Sequence, residues 1–252
     1  MPERVIQAGI GALAGVLSAL FGVGGGIMLV PALVARGFAV KQAAATSLAA
    51  IGITGAFGAT RYSFAGEVVW RDALLVGLPA VGGVLLGTAL QRRISGPRLQ
   101  LGFAVVMVAV ALRLLTTSGT PSGSGGAGVA IALGLAGGIL AGLFGVGGGI
   151  VFVPALTLGL GLPQITAEAT SLAAMVPVVI VGALRQHRQA LVDWRTGIML
   201  GVSSTLGVLV GVEIATSLSN DVLRRGFALF LLASAAQLAL KARSQLRSPP
   251  AT

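Results

Sequence analysis

The chain has 252 residues, of which 55% are hydrophobic and only 10% charged, and its mean hydropathy is +0.96. Those values exclude an ordinary soluble domain, and apolar runs near or above the ~18 residues of a membrane span predict an all-α, polytopic membrane protein. The net charge of +10 does not point to nucleic acid, because the 17 Lys and Arg are scattered between apolar segments; the absence of Cys excludes disulfides, thiolate metal sites and Cys nucleophiles.

The first apolar segment, 5–35, would be about 46 Å long as one helix, too long for a hydrocarbon core of roughly 30 Å. It contains Gly22, Gly24, Gly25 and Gly26, followed by Pro31. An interior Gly costs about 1 kcal/mol relative to Ala, so helix is least favoured there. The pattern predicts two half-helices joined by an unwound stretch, the second starting at Gly26 or Ile27. The apolar run after Arg4 leads straight into these glycines, which is not the form of a cleavable signal peptide.

Segment 43–60 follows, carrying Thr46-Ser47 near its start and Arg61 just past its end. Segments 73–90 and 99–115 read as ordinary spans. Gly11 and Gly15, and later Gly83 and Gly87, have the small-xxx-small spacing that lets helix backbones approach closely. An uncharged Gly/Ser-rich linker, 117–128, then joins an N-terminal repeat (1–116) to a C-terminal repeat (129–246), with a short tail at 247–252.

The second half restates the first. LFGVGGGIMLVPAL at 20–33 returns as LFGVGGGIVFVPAL at 143–156, with twelve of fourteen positions identical. Gly145, Gly147, Gly148, Gly149 and Pro154 are the counterparts of the first set. ATSLAA at 45–50 returns at 169–174, so Thr170-Ser171 matches Thr46-Ser47 at an offset of 124. On that offset Arg61 matches Arg185, Trp70 matches Trp194 and Gly87 matches Gly211. The second set of apolar segments is 129–160, 167–184, 197–218 and 222–240. The expectation is eight helical segments in two homologous four-segment halves, the first segment of each broken at GVGGG.

Charge placement bears on how the halves are related. If segment 5–35 crosses the membrane once, the basic residues divide ten against seven. If it turns back, each half has three full spans, the halves are inverted and the split is twelve against five. The positive-inside rule favours the inverted arrangement, with both termini cytoplasmic.

Consecutive glycines expose backbone N–H groups that can form an anion-binding nest, and a half-helix starting there adds its positive dipole end. Unwound backbone at membrane depth must be buried in protein or line a cavity, so close helix packing without a ligand is the competing explanation. Thr46-Ser47 and Thr170-Ser171 are suited either to donate to a ligand's oxygens or to bond their own helix backbone. Glu168 and Glu213 align with Ala44 and Ala89 and so break the symmetry. Glu168 is a candidate for a coupling proton or cation, or a first-turn acid matched to the helix dipole. Arg61 and Arg185 are candidates for attracting an anion or for reaching the interface, and His187 reads as a solvated loop residue. No nucleophile–base pair and no cluster of metal ligands stands out, so neither an enzyme nor a metal or other cofactor is expected. Helices broken at matched positions of two membrane repeats point to a transporter's binding site.

The duplicated LFGVGGGxxxVPAL, each copy followed by ATS, resembles the TauE/SafE family of permeases, also called the toluene-sulfonate uptake permease family. The resemblance covers essentially the whole chain. It implies about eight helical segments from a four-segment duplication and movement of sulfite or organosulfonates across the cytoplasmic membrane. Carried over by motif, it places the substrate site at 22–26 with Thr46-Ser47 and at 145–149 with Thr170-Ser171. The expected function is a secondary transporter exporting a small sulfur oxyanion by alternating access, with an anionic substrate and membrane lipid as partners. A carboxylate or cation carrier and a non-transporting membrane scaffold use the same features.

Overall fold

The computed structural model describes residues 2–116 and 125–247. Of the expected linker, 117–124 lies outside the described residues, as do 248–252 of the tail. Ten α-helices follow in order: α1 (Pro2–Phe21), α2 (Gly26–Ala35), α3 (Val40–Phe64), α4 (Trp70–Gln91), α5 (Gly96–Thr116), α6 (Ala127–Phe144), α7 (Gly149–Pro154), α8 (Gln164–His187), α9 (Trp194–Ser217) and α10 (Asn220–Arg247). Among the described residues seven helices, α3 to α6 and α8 to α10, are long and apolar enough to cross a membrane. Many large apolar side chains on them are exposed, Leu74, Leu78, Leu86, Val105 and Leu206 among them, as a lipid-facing surface requires. This is a multi-pass membrane protein.

Each first segment is broken where expected. α1 ends at Phe21 and α2 restarts at Gly26; α6 ends at Phe144 and α7 restarts at Gly149. The copies then diverge, because α2 stays α-helical past Pro31, whereas Pro154 ends α7 and a π-helical turn, Ala155–Gly159, follows. Elsewhere the helices begin two or three residues ahead of the apolar segments, and their C-terminal ends run from one residue short (α9) to seven beyond (α10), as flanking polar residues continue the hydrogen-bonded turns. His187 is one of them: it is the last residue of α8, not a loop residue, and its Nδ1 accepts a hydrogen bond from Trp194 Nε1 at 2.9 Å.

The halves are interleaved. α1 packs along α9 and α6 along α4, each helix against one from the other half, and glycines set both contacts. Gly15 faces the Ser204 backbone, Gly207 faces Ala12 and Gly211 faces Val16, so closely that a Cβ would collide. On the α4–α6 seam Gly134 faces Val76, Gly138 faces Ala80 and Gly87 faces Ile139 in the same manner. Lipid provides no hydrophobic drive between helices, so such backbone-to-backbone approach, with its dispersion contacts, holds the seams together. In both seams residue numbers rise together, so the paired helices run in the same direction.

α3 and α8, the two helices carrying the ATS motif, cross at the centre in the opposite sense. Leu48 lies by Gly182, Gly52 by Val179, Gly55 by Met175 and Gly58 by Leu172. As one number rises the other falls, so these equivalent helices are antiparallel. They are also the most buried of the spans, with 72% of the apolar window of each inside the protein.

Candidate functional site

The two Gly breaks meet between α3 and α8. Gly25 caps α2 with φ 78° and Gly148 caps α7 with φ 91°, left-handed conformations that a residue with a Cβ adopts only under strain. Neither cap carries a side-chain hydrogen bond, and the first N–H groups of a helix have no partner within it. Gly26 lies against the backbone of Val146, and Gly149 lies against Val23 and the Gly22 carbonyl. The two unwound stretches therefore touch, backbone to backbone, at a buried centre: Val23 and Val146 are 0% and 2% exposed.

The Ser and Thr of both ATS motifs are fully buried and bind across the halves. Ser171 Oγ donates to the Gly22 carbonyl at 2.8 Å; Ser47 Oγ shares its one hydrogen between the Gly145 carbonyl and, within its own helix, the Ala44 carbonyl at 2.9 Å. Each Ser thus fixes the first glycine of the opposite motif. Thr46 Oγ1 accepts from the Asp193 N–H and Thr170 Oγ1 from the Val69 N–H, each at 3.0 Å, just ahead of α9 and α4. In this conformation the Ser hydroxyls are occupied by the Gly carbonyls and the Thr oxygens anchor helix starts. The alternatives weighed from sequence were a ligand contact and a bond to the residue's own helix; bracing of the partner half is a third.

Two further residues belong here and went unnoticed in the sequence. Ile51 and Met175 are equivalent on the 124 offset, fully buried, and pressed against both breaks. Gly24 faces Ile51 and Met175, and so does Gly147; Gly26 faces Ile51 and Gly149 faces Met175. Each lies one helical turn beyond its motif Ser, at Ser47 plus four and Ser171 plus four. That spacing, repeated at the same offset, was the available signal. Together they form an apolar plug against the two Gly breaks.

The arginine candidates lie elsewhere. Because α3 and α8 are antiparallel, Arg61 and Arg185 sit toward opposite ends of the molecule and not at one shared centre. Arg61 Nη2 pairs with Glu213 Oε1 at 2.9 Å, joining α3 to α9 beside a cavity of about 430 Å³ that Phe64, Glu67 and Thr216 also line. The Glu213 position is Ala89 in the other half, so Arg185 has no matching carboxylate there. Glu168 does lie at the Gly site. It is fully buried in the second turn of α8, its Cα against Gly22, and its Oε1 accepts from Gln164 Nε2 at 2.9 Å.

Comparison with known proteins decides what this arrangement belongs to. The family described as "Sulfite exporter TauE/SafE" matches residues 2–114 and 129–252. The chain belongs to the TauE/SafE family. A "Probable membrane transporter protein" of Xylella fastidiosa (strain 9a5c) is 29% identical over 242 residues, covering 92% of this chain and 93% of that one. One of the same description from Haemophilus influenzae is 29% identical over 264 residues, at 92% and 96% coverage. "Probable membrane transporter protein YunE" of Bacillus subtilis is 25% identical over 239 residues, at 83% and 88%. The TauE/SafE match takes in both GVGGG copies and both ATS copies, so the duplicated centre lies wholly within the family's region.

Proposed function

We propose that this TauE/SafE transporter exports a small sulfur oxyanion or organosulfonate, such as sulfite or sulfoacetate, across the cytoplasmic membrane. The observation that carries the reading is the meeting of two Gly nests, each opening a half-helix, at one buried centre. N–H groups and two positive helix ends suit an anion with several acceptor oxygens. Among the described residues no Lys or Arg is the neighbour of a glycine in either break, which favours release over tight capture. The Ile51–Met175 plug supplies apolar surface for the carbon chain of a sulfonate.

The halves act as inverted repeats, with α1, α3 and α9 running one way and α4, α6 and α8 the other. Each first segment is then a re-entrant pair. Twelve basic residues fall on the side of the termini, leaving Arg61, Arg71, Arg113, Arg224 and Arg225 on the other, so the termini are cytoplasmic. Rocking of one half against the other, with the Gly breaks exposed first to one face and then the other, gives alternating access. A negative interior drives anion export by about 2.3 kcal/mol per charge per 100 mV. Reconstituted protein in liposomes tests the reading, with labelled sulfite and sulfoacetate competing against simple carboxylates. Preference for a carboxylate, with no response to either sulfur anion, overturns it.

A further inference from the structure

Glu168 and Gln164 form a buried polar pair that the anion site does not use. Both are at most 4% exposed, and both replace apolar residues of the first half, Ala44 and Val40. One hydrogen bond joins them, Gln164 Nε2 to Glu168 Oε1 at 2.9 Å. The atoms left without a partner are Glu168 Oε2 and Gln164 Oε1. Both are acceptors, and they belong to two head groups already in contact. A single hydrogen on Oε2, donated to the amide oxygen, satisfies both and closes the acid–amide pair with two parallel hydrogen bonds. Without that hydrogen the pair presents an unneutralised carboxylate with one donor in a sealed interior, a costly state. Two orphan oxygens are too few for Na⁺ or Ca²⁺, which take a fuller shell of oxygen ligands; one proton satisfies both.

Among the described residues, the charged groups around the pair have partners of their own. From α3, Tyr62 is near enough to interact with both Glu168 and Glu67, and its hydroxyl donates to the Ala19 carbonyl at 2.7 Å. Glu67, ahead of α4, accepts from Thr166 at 2.9 Å. From α3 and α9, Arg61 and Glu213 pair with each other; from α10, Asn220 accepts from the Ile165 N–H and Arg224 pairs with Asp221. The α1 side presents the Gly22 backbone, against the Cα of Glu168, and Gly22 is also the residue that Ser171 holds.

We infer that Glu168 and Gln164 form a proton-binding site that locks the first Gly break in its present position. Proton release obliges the carboxylate to reach water, which displaces Gly22 from α8 and opens the centre on that side. The inference rests on the transport reading for its consequence but not for its existence, and the test separates the two. Infrared titration of the purified protein in liposomes reads the site without any substrate. Wild type should show a protonated carboxyl band that fades as pH rises, missing in Glu168→Gln and shifted in Gln164→Leu. The same band in wild type and Glu168→Gln overturns the proposal, as does a band displaced by sodium at constant pH. Methanesulfonate, an anion at every pH used, then reads the consequence. Its flux should rise several-fold with pH in wild type and stay low and flat in Glu168→Gln. A wild-type pH profile in that variant overturns the lock. Absence of methanesulfonate flux in wild type counts against the cargo, while the infrared result still decides the proton site. Glu168→Gln keeps the side-chain volume, and Gln164→Leu provides an independent readout if it fails to fold.

Discussion

The two ends of the α3–α8 crossing are built from the same repeat and differ in what fills them. At the end where α3 finishes and α8 begins lie Tyr62, Gln164 and Glu168, with Glu67, Thr166 and the Arg61–Glu213 pair nearby. Their counterparts at the other end are Gln186, Val40 and Ala44, with Leu191, Gln42, Arg185 and Ala89. The Gly breaks, the bracing serines and the Ile51–Met175 plug are shared by both. What is duplicated is the frame that brings two unwound backbones together. What differs most is the buried acid: Glu168 with Gln164 at one end stands where Ala44 and Val40 stand at the other. A carrier with two identical ends has no built-in means of responding to one compartment; the proposed proton site at Glu168 would supply one.

The frame gives the largest expected effects. Gly25→Ala and Gly148→Ala each force a Cβ into a left-handed backbone, at a cost of about 1–3 kcal/mol. The added atom meets the Ala14 carbonyl 3.0 Å away in one case and the Phe152 ring 2.8 Å away in the other. Both variants should lose transport and melt at lower temperature in a detergent unfolding assay. Normal flux in both would remove the Gly breaks from the mechanism.

Next come the serines, which test whether the frame is as symmetric as it looks. Ser171→Ala leaves the Gly22 carbonyl without its hydroxyl, and Ser47→Ala does the same to Gly145. A buried acceptor left unpaired costs about 1–3 kcal/mol. Similar losses of thermal stability are expected from the two. Flux should separate them, with Ser171→Ala the more pH-sensitive variant because Gly22 is also the residue that Glu168 packs against. Indistinguishable pH profiles would argue that the two ends work alike.

Much of this frame could be read from the sequence. Both helix breaks fell where the glycines put them, because a run of four Gly within five residues in an apolar segment admits few other structures. Gly11, Gly15, Gly83 and Gly87 do line the close helix seams, although spacing alone did not say which helices they join. The interleaving of the halves depends on contacts between segments more than a hundred residues apart, which no local pattern records. Thr46-Ser47 and Thr170-Ser171 were visible as motifs, but a hydroxyl bonds equally well to ligand, own helix or partner backbone. Only three-dimensional placement selects among these. Glu213 pairs with a residue 152 positions earlier, and nothing local to either marks the other.

A smaller effect comes from making one seam copy the other. Thr54 Oγ1 and Ser204 Oγ bond at 2.5 Å between α3 and α9, while the matching residues between α8 and α4 are Val178 and Ala80. Thr54→Val alone removes the hydroxyl–hydroxyl bond, leaving Ser204 Oγ only its bond to the Gly201 carbonyl, and should cost about 1 kcal/mol. Thr54→Val combined with Ser204→Ala reproduces the packing that the other half already tolerates. The double variant should recover most of the stability lost in the single one, measured by thermal unfolding. A double variant no better than the single would mean that the hydroxyl pair holds the seam where close packing does not suffice.

The smallest effect is assigned to the Arg61–Glu213 pair, for all its good geometry. Its side chains are 35% and 72% exposed, so water and salt screen it, and pairs of this kind contribute at most about 1 kcal/mol. A double-mutant cycle with Arg61→Ala and Glu213→Ala should return a coupling within that limit, shrinking as salt rises. The cycle also weighs the ends against each other, since Arg185 and Ala89 are the counterparts of Arg61 and Glu213. Ala89→Glu should place a carboxylate near Arg185 and reproduce the coupling at the other end. A coupling well above 1 kcal/mol in the native pair, unmoved by salt, would show that the Arg61 end is closed to water, making that pair the gate of its half and the screened-surface reading wrong.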